Sequence, residues 1–287
     1  MSEDAAARGA GVRSPERNFM DLKTRAVSAF ALAALALGSN FAGALPFAVL
    51  VALLSLVMTW EWGRVSRGGA IDAAFAAQAA AVLAAAGLAA MGLAAWSLAA
   101  LVAGTILAAP LASGSSARLS ALGVCYVGLP AAALVWLRGS EPEGAWAILF
   151  VFLVVWVYDT AAFAAGSLIG GPKLWPSVSP KKTWAGLLGG VAASALAGAS
   201  FAVFALGAAP ARLAFWGAAF GAVAQAGDLL ESGLKRWRGV KDTSGLVPGH
   251  GGVMDRLDSI VAVAAAAALV ALAIDPRSPA RALLFGG

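Results

Sequence analysis

Residues 73–110 read AAFAAQAAAVLAAAGLAAMGLAAWSLAALVAGTILAAP, from Ala73 to Pro110, without one Asp, Glu, Lys or Arg. The hydrocarbon core of a bilayer is about 30 Å thick, and a helix needs about 20 residues to cross it. The stretch is long enough for two crossings, with the turn between Gly87 and Gly92. Reading outward, further apolar segments lie at 26–38, 42–60, 119–137, 145–169, 185–207, 211–228 and 257–274. The segment 26–38 is short for a full crossing; it either starts deeper in the chain or forms a tight hairpin with the next segment around Asn40. The expectation is an all-α, polytopic integral membrane protein with about nine transmembrane or membrane-embedded helices.

The rest of the composition agrees. Of 287 residues, 61% are hydrophobic and 12% charged, about half the usual charged share. The mean hydropathy is +0.83. So few charges cannot clothe a water-soluble globule of this size, which excludes soluble Rossmann-type, secreted, disordered and coiled-coil classes. The single cysteine, Cys125, excludes an intrachain disulfide or a cysteine zinc site, and the single histidine, His250, excludes multi-histidine metal chemistry. Residues 1–25 read as a polar cytoplasmic tail and 26–287 as one membrane-embedded domain. The tail is not read as a signal peptide, because a train of further spans follows it. Two readings of the abundant alanine and glycine stay open: close helix approach in lipid, or GC-rich coding with no packing purpose.

Charge orients the chain. With nine crossings and the N-terminus in the cytoplasm, the inner segments are 1–25, 61–72, 111–118, 170–184 and 229–256. They hold sixteen of the twenty Lys and Arg; only Arg138, Arg212, Arg277 and Arg281 lie outside. That is the asymmetry of the positive-inside rule.

Two polar stretches then fall on one side. The first is Gly170 to Gly186, containing Ser179-Pro-Lys181-Lys182-Thr-Trp184. The second runs from Asp228 to Asp258 and holds five of the chain's fifteen acids, together with Lys235, Arg236, Arg238, Lys241 and Arg256. A topology anchor needs bases only. Carboxylates mixed with bases, beside Gly249-His250-Gly251-Gly252, suit a divalent cation with a polyphosphate: carboxylate oxygens for Mg²⁺, Lys and Arg for phosphate oxygens, and glycines for close backbone approach. The plainer reading is a solvated loop at the lipid headgroups. A nucleic-acid partner is excluded for want of an extended basic face.

Asp159 stands apart, in Val154-Val-Trp-Val-Tyr158-Asp159-Thr160. An ionisable group at that depth is expensive and marks function by default; its structural alternative is a cap on a broken helix. Glu61, between Trp60 and Trp62, sits near the interface, where a carboxylate is cheap. His250 reads as a binding or positioning residue, since attack by an ionised phosphate needs no general base.

The run Ser232 to Asp258, SGLKRWRGVKDTSGLVPGHGGVMDRLD, resembles the signature of the phosphatidate cytidylyltransferase (CDP-diacylglycerol synthase) family over 27 positions. Ser179-Pro-Lys-Lys-Thr-Trp184 is similar to a second block of that family, and Asp159 to an aspartate preceding it. Two positions depart: Ala185 stands where the family usually has Glu, and Ala161 where it usually has Gly. The resemblance implies transfer of CMP from CTP to phosphatidic acid, with Asp228 and Asp255 as the metal pair for Mg²⁺, and room for a second cation. It implies catalytic roles for Asp159, Lys235, Arg236 and Lys241. Nucleotide and phosphate binding would fall to Ser179, Lys181, Lys182, Asp242, His250, Gly251, Gly252, Arg256 and Asp258. It further implies a homodimer in the bacterial inner membrane, its active site facing the cytoplasm.

Competing readings have their own signatures. A CDP-alcohol phosphotransferase carries Asp-Gly-x-x-Ala-Arg, a run missing from this sequence. A CTP-using lipid kinase shares the general features. An ion-coupled transporter would use Asp159 between broken helices and show paired inverted halves, which the sequence lacks. A noncatalytic membrane subunit would use its acids for solvation only.

Overall fold

The computed structural model describes residues 15–69, 71–112, 116–139, 142–247 and 251–286, with side chains from Val27 onward. His250 and most of the N-terminal tail, for which roles are expected above, lie outside these residues. Ten helices follow in order: α1 Pro15–Ala42, α2 Ala44–Arg67, α3 Ala73–Ala90, α4 Ala94–Leu111, α5 Ser116–Gly139, α6 Glu143–Leu168, α7 Trp184–Leu206, α8 Pro210–Trp237, α9 Met254–Ile274 and α10 Pro279–Phe285. A two-stranded antiparallel hairpin, β1 Lys173–Trp175 and β2 Ser179–Thr183, sits between α6 and α7. It is a small exception to the all-α expectation, and it falls in the first polar stretch.

Eight helices, α2 to α9, are long and apolar enough to cross a membrane, and the apolar part of α1, Val27–Ala42, is shorter. The expected turn inside 73–110 is there: α3 ends at Ala90, and Gly92 turns the chain with φ +75°. Helix α1 starts deeper than its apolar run and forms a tight hairpin with α2 through Gly43, whose φ of +137° is open to glycine. Large apolar side chains such as Val102, Ile106, Leu196 and Phe204 face outward. In water they would be a liability; in hydrocarbon they are the lipid-facing belt.

Helices α2 to α5 pack as one group and α6 to α9 as another, joined where α5 meets α6 and α9. Lipid tails are as apolar as Leu, so these contacts rest on close packing and hydrogen bonds rather than hydrophobic drive. A Cβ on Gly198 of α7 would lie 2.0 Å from the Leu213 carbonyl oxygen of α8, and one on Gly217 would lie 2.3 Å from that of Ser194. The small residues here serve close approach. Helix α10 was not foreseen. Its Leu283 and Leu284 are buried, and Arg212 donates to the Ala282 carbonyl at 2.7 Å, so the C-terminal segment closes over one end of the bundle.

The second polar stretch is not a loop throughout. Helix α8 continues past the apolar segment through Asp228, Glu231, Lys235 and Arg236 to Trp237. Leu, Glu, Lys and Arg are good helix formers, and Gly239, at φ +70°, turns the chain once the helix has ended. The connection between α8 and α9 is therefore about 16 residues, not the 28 between the apolar segments.

Candidate active site

Four pieces of chain meet around a cavity of about 700 Å³. Asp159 comes from α6, Lys181 and Lys182 from β2, Asp228 and Lys235 from α8, and Asp255, Arg256 and Asp258 from α9; Asp242 closes the rim. Local structure explains each placement. Thr183 ends β2 and N-caps α7, its Oγ1 accepting from Gly186 N at 3.1 Å. That cap sets the lysine pair one step before the helix. Gly186 presses on α6, where a Cβ would stand 2.9 Å from the Ala162 carbonyl oxygen, so β2 lies beside Asp159. Gly227 does the same between α8 and α9. A Cβ there would meet the Asp258 carbonyl oxygen at 2.8 Å, which brings Asp228 against the first turns of α9.

The charges interlock. Lys182 Nζ pairs with Asp228 Oδ2, and Ser232 Oγ donates to Asp228 Oδ1 at 3.2 Å. Lys235 Nζ bridges Asp255 Oδ1 at 2.7 Å and Glu231 Oε1 at 3.0 Å. Asp255 Oδ2 accepts from Gly252 N at 2.8 Å, Thr243 N at 3.0 Å and Thr243 Oγ1 at 3.1 Å. Asp159, deep in α6, is exposed to the cavity and not to a closed hydrocarbon core. It feels the like charge of Asp228 and the opposite charges of Lys182 and Arg256. Asp258 Oδ1 accepts from Ser259 N at 2.7 Å.

Other expected residues are placed differently. Arg236 and Lys241 are exposed and do not line the cavity, and Ser179 is half-buried at the start of β2, paired with Trp175. Gly251 and Gly252 form the turn under Asp255: Gly251 has φ +83°, and a Cβ on Gly252 would stand 2.1 Å from Thr243 Oγ1. Ala185 and Ala161, the two departures, lie in the facing helices α7 and α6.

Glu61 has a structural role that its sequence neighbourhood does not reveal. It is fully buried in α2. It accepts from Val253 N at 2.9 Å, from Met254 N at 2.6 Å and from Ser244 Oγ at 2.5 Å. The first N–H groups of a helix have no partner inside it and favour negative charge; Glu61 caps α9 from a helix nearly two hundred positions away. Glu231, one of the five acids of the second polar stretch, is also fully buried and accepts from Tyr126 Oη at 2.7 Å as well as from Lys235. Its spacing was a usable signal, since 228, 231 and 235 lie on one helix face. Nothing local marked Glu61.

Among the described residues, no three Asp, Glu, His or Cys side chains converge closely enough to enclose a metal ion. The donor chemistry nevertheless fits Mg²⁺. That ion usually takes one or two carboxylates and completes its shell with water and substrate phosphate. A carboxylate offers about four lone pairs. Asp255 has spent Oδ2 on three donors but keeps capacity on Oδ1, and Asp228 keeps capacity on both oxygens.

Residues 23–274 match the model of the Cytidylyltransferase family. The chain is 38% identical over 252 residues to the phosphatidate cytidylyltransferase of Brucella suis biovar 1, an alignment covering 85% of this chain and 91% of that one. The protein of the same name from Brucella melitensis biotype 1 aligns with the same identity and coverage. That of Staphylococcus saprophyticus is 38% identical over 168 residues, 57% of this chain and 62% of that one.

Proposed function

The chain belongs to the cytidylyltransferase family, and from that premise we propose how its polar cavity turns CTP and phosphatidic acid into CDP-diacylglycerol and pyrophosphate. The protein is an enzyme of phospholipid biosynthesis, a nucleotidyltransferase embedded in a membrane. A phosphatidate oxygen attacks the α-phosphorus of CTP, and the bond from that phosphorus to the β-phosphate bridging oxygen breaks. Pyrophosphate leaves with the electron pair. One observation carries the assignment of the site: acids and lysines from α6, β2, α8 and α9 share one cavity.

Asp228 and Asp255 would hold Mg²⁺, which supplies charge neutralisation at the phosphates. Lys182 and Lys235 now neutralise the same two carboxylates; freed from them, both ammonium groups would face the triphosphate, with Lys181 and Arg256 beside them. Asp159 and Asp258 add acceptor oxygens, with room for a second cation. Asp242, Gly251 and Gly252 would shape the rim, and His250, outside the described residues, would serve in binding or positioning the substrate. Arg236, Lys241 and Ser179, outside the lining, would act through long-range charge or after a shift of their segments. Val27–Ala42 of α1 would be the ninth membrane-embedded element. The N-terminus and both polar stretches would face the cytoplasm across the bacterial inner membrane, where CTP is available, and the protein would work as a homodimer.

The test is an assay of the purified protein in detergent with CTP, phosphatidic acid and Mg²⁺, following pyrophosphate release and lipid-linked CMP. Equimolar appearance of both is expected. Transfer of a terminal phosphoryl group with release of CDP would establish the lipid-kinase reading instead.

A further inference from the structure

A second cavity, of about 300 Å³, runs beside the first and shares two of its walls, Asp159 and Arg256. Every other residue along it is apolar except Ser55. Helix geometry orders the lining by depth. At the end next to the polar cavity stand Asp159, Arg256 and Met58; at the other stand Ala36, Phe47 and Phe152. Met58 and Phe47 are eleven residues apart on α2, about 16 Å at 1.5 Å per residue. Phe47 and Phe152 line the far end, both buried, with ring centroids 6.4 Å apart. One long wall is α1, which contributes Ala29, Leu32, Ala33 and Ala36.

We propose that this cleft receives one acyl chain of the lipid substrate, and that the α1 alanines and the Phe47–Phe152 floor set the chain length the enzyme prefers. The inference rests on the reaction proposed above. A phosphatidate has a charged head and apolar tails, and the two adjoining cavities have that polarity in that order, with Arg256 at the junction to meet the phosphate. The volume lies at the small end of ligand pockets, which suits one tail and leaves the second in the bilayer. Hydrocarbon gains little by leaving lipid for an apolar cleft. Selectivity must therefore come from shape, and a tail too long for the floor would lift the phosphate away from Arg256.

The experiment measures kcat/KM in mixed micelles for dioctanoyl, dilauroyl and dipalmitoyl phosphatidate, in the parent protein and in the variants Ala33→Phe, Ala36→Phe and Phe47→Ala. Filling the cleft from α1 should shift preference toward the shorter lipids by about tenfold or more, the scale on which a pocket discriminates methylenes. Deepening it with F47A should shift preference the opposite way. KM for CTP should stay at the parent value in the α1 variants. Should an aromatic variant fail to give a monodisperse protein, Ala36→Leu gives the same readout at smaller amplitude. Folded α1 variants with the parent's chain-length profile would overturn the proposal and leave the cleft to ordinary bilayer lipid. A parent protein inactive on every phosphatidate would instead overturn the reaction itself.

Discussion

At the scale of single residues, Asp228 and Asp255 differ in what holds them. Asp228 sits within α8 and makes one side-chain hydrogen bond and one ion pair, with Ser232 and Lys182. Asp255 is also structural, since it gathers Thr243, Gly252 and Lys235. Asp228→Asn should therefore lose turnover on the order of 100-fold or more, with an unchanged melting temperature and a Mg²⁺ curve displaced to higher concentration. Asp255→Asn should show the same kinetic loss together with a lowered melting temperature. Activity titrations against Mg²⁺, with thermal unfolding in detergent, separate the two; near-parent turnover in a folded D228N would end its assignment as a ligand. Glu61 gives a sharper contrast. Glu61→Ala strands three donors, Val253 N, Met254 N and Ser244 Oγ, each costing about 1–3 kcal/mol when buried without a partner. Glu61→Gln keeps one acceptor oxygen and should recover much of the stability. Melting curves of both variants check this, and equal stability in the two would show that Glu61 is not what pins α9. Asp228, Asp255 and Lys235 were legible in the sequence as candidates because five acids and five bases cluster within 31 positions. The role of Glu61 was not, because its partners Ser244, Val253 and Met254 lie nearly two hundred positions further along the chain.

At the scale of elements, the site depends on how closely α6 to α9 approach. Alanine at Gly198 or Gly217 would put a Cβ on a backbone carbonyl, which cannot move aside as a flexible side chain can. Gly198→Ala and Gly217→Ala should each destabilise the protein by about 1–3 kcal/mol. Gly87→Ala, with nothing within 4 Å of the added Cβ, should be neutral or stabilising by up to about 1 kcal/mol, as expected for a helix interior. Thermal unfolding in one detergent ranks the three. Equal effects at Gly198 and Gly87 would mean that the α7–α8 contact has room for a methyl group at Gly198. The two readings of the small residues thus part by position: some serve packing, while others, such as Ala84, are exposed on α3.

At the scale of the whole molecule, the proposed orientation sends both polar stretches to the cytoplasm. After replacement of Cys125, single cysteines at Ser177, on the exposed turn of the hairpin, and at exposed Lys241 should react with an impermeant thiol reagent only once the inner face is opened. A cysteine at Arg277, beyond α9, should react in intact cells. Labelling of Ser177 and Lys241 from outside would reverse the orientation. The test also bears on the count of crossings, because an added or missing span between Lys241 and Arg277 would place both on one side.

The chain alone determined that it lives in a membrane, since runs of apolar residues long enough to cross hydrocarbon have no other stable home. It also determined the chemistry of its polar stretches, because carboxylates, lysines and glycines in that order carry their affinities wherever the backbone takes them. Only the tertiary structure decided where α8 ends, that Lys235 joins Asp255 to Glu231, and that Arg236 and Lys241 stay outside the cavity. It alone decided that an apolar cleft behind Asp159 has Phe47 and Phe152 at its far end. These are relations between residues far apart in the chain, set by glycine-mediated helix approach and by buried hydrogen bonds that have no signature in local composition.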